Sequence, residues 1–500
     1  MSNLVQSVDW PAIAPPTLTA LVALVVLVAD LFLPAERKNL LGWLSIAGLA
    51  GALALLVPLL GDDRSTFCLT EGPEACSYTA DAFALVIQLL VLGAALLTAL
   101  MSTATARELP QGEYWFLLLS SAAGAALLPA SRDLATLIVA LEVASLPAFA
   151  LVGLKRGDRR SSEAALKFFL SSVTATTVSL LGVSFVYAAT GSLHLTTVAR
   201  ADVDPRLTVL MQTGVVLTLV GFAFKTAAAP FHFWVPDTYI GAPLPVAAYL
   251  SVVGKAVGFS GLVLLAVVAF PDHGDVWGPA LAALAALTMT LGNTAALRQD
   301  PSRDRSAVRL LAWSSIGQAG YLLVPIAAAA YGDGERSAGQ VVGSTVAYAL
   351  MYAAVNLGAF AVAALVGRRH GLNRLSDYQG LYATHPLAAL SLAFFLLCLA
   401  GLPPGIVGLF AKVTVFQAAV DAGLGWLAVL MAVNVVIALV YYLRWTALLF
   451  RAPADPQEAP SARRRVPLPL ALSIALAAVL GIVLSGAPQL VLRFADTTLF

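Results

Sequence analysis

The chain has 500 residues, 59% hydrophobic and 11% charged, with a mean hydropathy of +0.86. A soluble domain carries about 25% charged residues, so the composition excludes a soluble globular protein and describes a polytopic membrane protein. The net charge of +1 leaves no bulk positive field for nucleic acid.

A spanning helix needs about 20 apolar residues. On that basis about fourteen spans are expected, at 13–33, 40–60, 80–101, 114–129, 133–153, 163–188, 208–232, 244–270, 277–297, 308–330, 338–366, 386–417, 424–449 and 467–490. The expected fold is all-α. No basic residue precedes Arg37, so the first apolar stretch lacks the positive leader of a cleaved signal peptide and reads as a retained helix with its N-terminus outside. Alternating from there puts eighteen lysines and arginines in inside loops, among them Lys38, Arg107, Lys155, Arg368 and the run Arg463–Arg465, against six outside, including Arg64, Arg132 and Arg336. Positive charge concentrates on the cytoplasmic side, so both termini are expected on the outer face.

Of three cysteines, Cys398 lies in an apolar run, and only Cys68 and Cys76 share a polar loop, with Asp62, Asp63, Glu71 and Glu74. Incidental placement is the plainer reading; a disulfide depends on that loop facing an oxidising compartment. No nucleotide-binding glycine loop, haem or iron–sulfur motif, or nucleophile elbow is present.

Charges at membrane depth are expensive, rare and usually functional. Glu142 lies in the fifth span with no basic residue within nine positions on either side. Lys225 and Lys255 flank a segment with Pro230, Pro236, Pro243 and Pro245, a histidine, His232, and Asp237. Lys412 follows Pro403 and Pro404 in the twelfth span, which is too long for a straight helix and is expected to be broken, like the seventh. Burial makes a lysine a feasible proton donor and acceptor. The bland alternatives are a neutral, buried glutamate or a structural ion pair with a lysine of a neighbouring helix for Glu142, a clamp on a half-helix end for each lysine, and packing for His232; an ionised Glu142 would take Lys225 as its first-choice partner. Asp237 is placed in an inside loop, where it would cap a helix or stand at a proton entrance. Lys167 would snorkel, or relay between Glu142 and the centre. Arg444, Tyr441 and Tyr442 read as interface anchors, and Asp30 as solvated. The two lysine-bearing breaks suggest inverted five-helix repeats, dividing the chain into 1–110, 111–270, 271–452 and 453–500.

The run AFKTAAAPFHFWVPDTYIGAPLPVAAYLSVVGKAVGF closely resembles the signature of the antiporter-like subunits of respiratory complex I. LEVASLPAFALVG, WSSIGQAGYLL and GLPPGIVGLFAKVTVF resemble further signatures, and the likeness covers essentially the whole chain. The wording is N-type: Lys412 stands where the M subunit has glutamate, and no long lateral helix follows, unlike the L subunit. Gly405 departs from the threonine common after the double proline.

The resemblance implies proton-translocating roles for Glu142, Lys225, Lys255, Lys412 and His232. Protons would enter from the cytoplasm toward Lys255 and leave through Lys412, gated by a Glu142–Lys225 pair. It implies no cofactor in this chain, with flavin, iron–sulfur clusters and quinone in partner subunits. The implied neighbours are subunits M, K and J in the inner (plasma) membrane. A sodium/proton antiporter or membrane-bound hydrogenase subunit, and a structural subunit without a proton path, are the alternatives.

Overall fold

The computed structural model describes residues 7–69, 75–332, 338–452, 466–495, 497 and 499–500. Glu71, Glu74, Arg336 and the 463–465 arginines lie outside them. Among the described residues twelve helices are long and apolar enough to cross a membrane. The first six helices are α1 (Trp10–Phe32), α2 (Asn39–Ala54), α3 (Ala82–Ser102), α4 (Gln111–Leu127), α5 (Leu134–Val152) and α6 (Arg159–Thr190). Four begin at an aspartate whose carboxylate accepts a first-turn backbone N–H: Asp9 from Ala12, Asp81 from Ala84, Asp133 from Thr136 and Asp158 from Arg160. Each such cap stabilises a helix by about 1 kcal/mol.

Cys68 and Cys76 lie on strands and not in an irregular loop. Strands β1 (Arg64–Cys68) and β2 (Cys76–Ala80) pair antiparallel, with Cys68 opposite Cys76 and a disulfide joining them. The hairpin is tied inward: the Tyr78 hydroxyl donates to the Ala12 carbonyl at 3.1 Å and accepts from Gln88 at 3.0 Å. Arg132 is buried nearby, pairing with Asp81 and donating to the Pro129 and Ser131 carbonyls. Asp30 is not free in solvent: Lys38 donates to it at 2.9 Å.

After a short α7 (Leu195–Ala199), α8 (Thr208–Thr226) packs on α6 through small residues. Ser179 and Gly182 meet Gly214, Thr218 and Gly221, and the Gly221 N–H donates to the Ser179 hydroxyl at 2.7 Å. Small residues let membrane helices approach this closely.

The seventh span ends at Thr226, earlier than 232. Ala227 is left-handed at φ 68°, and its N–H donates to Phe224 while that of Ala228 donates to Ala223. Helix α9 (Trp234–Gly241) then restarts the path, so Asp237 lies on a helix and not in a loop. The next span is α10 (Leu244–Tyr249), a wide π turn (Leu250–Gly254), α11 (Lys255–Val263) and a second wide turn (Leu264–Ala269). Helices α12 (Gly274–Leu297), α13 (Ser306–Ala328), α14 (Ala338–Gly367) and a short α15 (Leu381–Thr384) follow.

The twelfth span is broken as expected, into α16 (Pro386–Ala400) and α17 (Ile406–Asp421). Its stop repeats the first one. Gly401 is left-handed at φ 83° and bonds back to Cys398, while Leu402 bonds to Leu397. Both are Schellman ends followed by proline. Gly405 packs on Cys398, and a Cβ there would lie 2.4 Å from its sulfur, which accounts for glycine at this position. Helices α18 (Gly425–Phe450), α19 (Leu468–Gly486) and α20 (Gln489–Leu492) complete the chain. Helices α3, α13, α14 and the 244–269 span form the buried centre.

The two stops differ in one respect that can be tested. A left-handed alanine costs about 1–2 kcal/mol, against about 0.5–1 kcal/mol for the extra freedom of glycine. Ala227→Gly is therefore expected to raise the thermal unfolding midpoint slightly, and Gly401→Ala to lower it by more. A Cβ on Gly401 would also press on Lys412 Cδ at 3.2 Å. Calorimetry on the purified protein measures both.

Candidate functional site

Lys225 stands in the last turn of α8, 3% exposed. Its Nζ donates to Ser145 Oγ at 2.7 Å and lies 5.2 Å from the Phe168 ring centre and 5.8 Å from that of Phe149. The expected ion pair with Glu142 is not formed. Glu142 is half-buried, and its Oε1 accepts from Thr176 Oγ1 at 2.7 Å. Residues three apart on a helix share a face, so Ser145 sits beside Glu142 on α5 and takes the ammonium instead.

Lys255 begins α11, 2% exposed. Its Nζ donates to Ser315 Oγ at 2.6 Å. Ser315 shares a 2.8 Å hydrogen bond with the Tyr352 hydroxyl, which donates to the Ser251 carbonyl at 3.1 Å. Asn356 donates to Ser251 Oγ at 2.6 Å. The direction is set: Tyr352 gives its one proton to Ser251, so Ser315 donates to Tyr352 and accepts from Lys255.

Lys412 on α17 is 4% exposed and clamps the end of α16, donating to the Leu399 and Ala400 carbonyls at 2.8 Å each. The Tyr321 ring centre lies 5.7 Å away. Gln318 also donates to Leu399, at 3.4 Å, and to the Tyr442 hydroxyl at 3.1 Å, while Tyr348 donates to Gln318. Tyr442 and Ser314 share a hydrogen bond. Helix α13 thus carries both networks, with Ser315 turned to Lys255 and the adjacent Ser314, with Gln318 and Tyr321, turned to Lys412.

Residues 131–438 match the family described as "NADH:quinone oxidoreductase/Mrp antiporter, TM". A NADH-quinone oxidoreductase subunit N 2 of Streptomyces griseus is 73% identical over all of this chain and 95% of its own length. A subunit N of Salinispora tropica is 42% identical over 99% of both. Among solved structures, a chain of respiratory complex I from Thermus thermophilus superposes with a TM-score of 0.76 at 32% identity, covering 96% of this chain and 98% of that one. The chain belongs to the subunit N family of antiporter-like membrane proteins.

Other residues expected to matter in a subunit N chain fall differently. His232 is half-buried in the turn between α8 and α9, with its ring 5.7 Å from that of Trp313; it hydrogen-bonds neither lysine. Lys167 is half-exposed and pairs with Glu163 and Asp237 at 2.8 Å each, a local tie between α6 and α9. Asp237 thus neither caps its helix nor stands alone. Tyr441 and Tyr442 are buried and not interface anchors, Tyr441 donating to Asn293 at 2.9 Å; Arg444 alone of the three is exposed.

The uncharged members of these networks escape sequence reasoning. Serine and tyrosine in an apolar helix usually bond a nearby carbonyl, and nothing local marks Ser315 or Tyr352 as different. The spacing of Ser314, Gln318 and Tyr321 along one face of α13 is the signal that was there to be read.

A cavity of about 520 Å³ reaches down to Tyr239, with Glu108, Lys155, Arg305, Arg368 and Arg369 around it. Tyr239 is 1% exposed, and its hydroxyl, beside Ser315, has no hydrogen-bond partner among the described residues.

Proposed function

We infer that this chain is the proton-translocating membrane subunit of an NADH–quinone oxidoreductase, driven by electron transfer in other subunits. The observation that carries the reading is a set of three buried lysines with no ion pair among the described residues, two of them set against polar networks on one helix, α13: Lys255 against Ser315 and Tyr352, and Lys412 sharing the Leu399 carbonyl with Gln318. Buried cations so arranged are costly as scaffolding and suited to proton exchange.

In this scheme Tyr239 and Ser315 pass protons from the inner cavity to Lys255, and Lys412 releases them on the outer side. Glu142 and Lys225 stand apart, on Thr176 and Ser145, which corresponds to the separated state of a pair that switches. His232 serves beside Trp313 without bridging. The matching Schellman stops support two inverted units, 111–270 and 271–452. The disulfide-closed hairpin and the arginine and lysine distribution support both termini on the outer face of the plasma membrane. Flavin, iron–sulfur clusters and quinone belong to partner subunits, with subunits M, K and J as the membrane neighbours.

Vesicles reconstituted with the complex carrying Glu142→Ala or Lys225→Ala are expected to retain quinone reduction by artificial donors better than proton uptake. Undiminished pumping in both variants overturns the gating role.

A further inference from the structure

Glu142, Ser145 and Phe149 share one face of α5, at helical spacing. Lys225 reaches this face from α8 and seats its ammonium at the Ser145–Phe149 end, bonded to Ser145 Oγ and over the Phe149 ring at 5.8 Å. Glu142 lies about 4.5 Å of helix rise before Ser145. Helix α6 serves both ends. Its Phe168 ring meets the ammonium at 5.2 Å, and Thr176, about two turns further on, donates to Glu142 at 2.7 Å.

The rings around the ammonium are held as a set. Phe168 stacks on Trp234, with centroids 4.3 Å and planes 9° apart, and stands edge-on to Phe149 at 4.7 Å. Phe224 stacks on Trp234 at 5.4 Å, and its carbonyl accepts from Trp234 Nε1 at 3.2 Å. All four side chains are buried. Trp234 opens α9, so the restart of the broken span backs the Phe168 ring.

Packing alone explains four buried rings. It does not explain an ammonium placed over two of them with no ion pair among the described residues. A ring face carries negative charge density and attracts a cation within about 6 Å of its centroid, most strongly where water is excluded. We propose that Phe168 and Phe149 are positioning residues that form an aromatic berth for the Lys225 ammonium, so that the gate is a choice between this berth and the Glu142 carboxylate on the same face of α5. The inference rests on the reading of Glu142 and Lys225 as a switching pair. Ser145 stands between the two seats.

The test places phenylalanines with one, two and three ring fluorines at position 168 of the intact complex. Fluorine drains the ring face of charge density while nearly keeping its shape. Proton uptake per quinone reduced is expected to fall stepwise, by about tenfold at the end of the series, the weight of one desolvated cation–ring contact. Phe168→Leu, apolar but without a ring face, should match that end point. The same series at Phe83, a buried ring that packs on Phe500, is the control and should stay level. A level series at 168, or an equal fall at 83, overturns the berth, even where Lys225→Ala stops pumping and the path itself stands. Normal pumping by Lys225→Ala removes the gating reading instead. The berth is then decided by the thermal unfolding midpoint of the complex, which drops along the 168 series if the rings hold the ammonium and stays level if they do not.

Discussion

Replacing Lys255 by methionine is expected to lower proton translocation by about 10²-fold or more, the usual weight of a positioned proton-transfer group, while the chain still folds and assembles. Methionine fills a similar volume without charge. Its neighbours stay satisfied: Ser315 keeps Tyr352, and Ser251 keeps Asn356. No buried donor is orphaned, so stability should hold or rise, because a lone buried cation is itself a cost. Tyr352→Phe provides the graded comparison. It removes one hydroxyl and leaves the lysine, so it should slow pumping less. Proton uptake per quinone reduced, measured in vesicles, separates these outcomes from a general loss of activity. Wild-type pumping by the methionine variant would remove Lys255 from the path.

The second large effect is expected where nothing titrates. A Cβ on Gly258 would lie 2.3 Å from Thr226 Oγ1, 2.4 Å from Thr226 N and 2.8 Å from the Lys225 carbonyl carbon. Those are mostly backbone atoms of the turn that carries Lys225, so they cannot yield without moving the lysine away from Ser145. Overpacking of this kind costs about 1–3 kcal/mol. Gly258→Ala should therefore pump poorly, with every charged residue in place, and should assemble less well at elevated temperature. Gly254→Ala is the control: it lies four residues earlier on the same span with open space around it. If both variants behave alike, the close approach of α11 to α8 has no bearing on the path.

These two positions show what was legible beforehand. Lys255, Lys225, Lys412 and Glu142 stand out because a charge in an apolar run is conspicuous. Pro403 and Pro404 announce a break because proline cannot continue a helix. The earlier stop, at Thr226, comes six residues before the expected end because the left-handed residue is alanine, which carries no such signal. Asp237 reads as a loop residue in sequence because its helix is only eight residues long. Pairings across the fold were not legible at all. That Lys225 would choose Ser145 over Glu142, or that Tyr442 would turn inward to Ser314, depends on which helix faces which. The hairpin carries little sequence signal, because its strands are five residues each and lie among polar residues.

The clamp at the end of α16 has one more implication, which concerns hydrogen counting. A charged lysine has three N–H bonds and a neutral one has two. Lys412 spends two on the Leu399 and Ala400 carbonyls. The third is therefore the one free to leave. When it does, the two anchoring bonds remain, and the half-helix end keeps its ligands through both states. In the proposed proton path, holding the helix end and discharging a proton would be separate duties of one nitrogen, so the break would not need to be remade in each cycle.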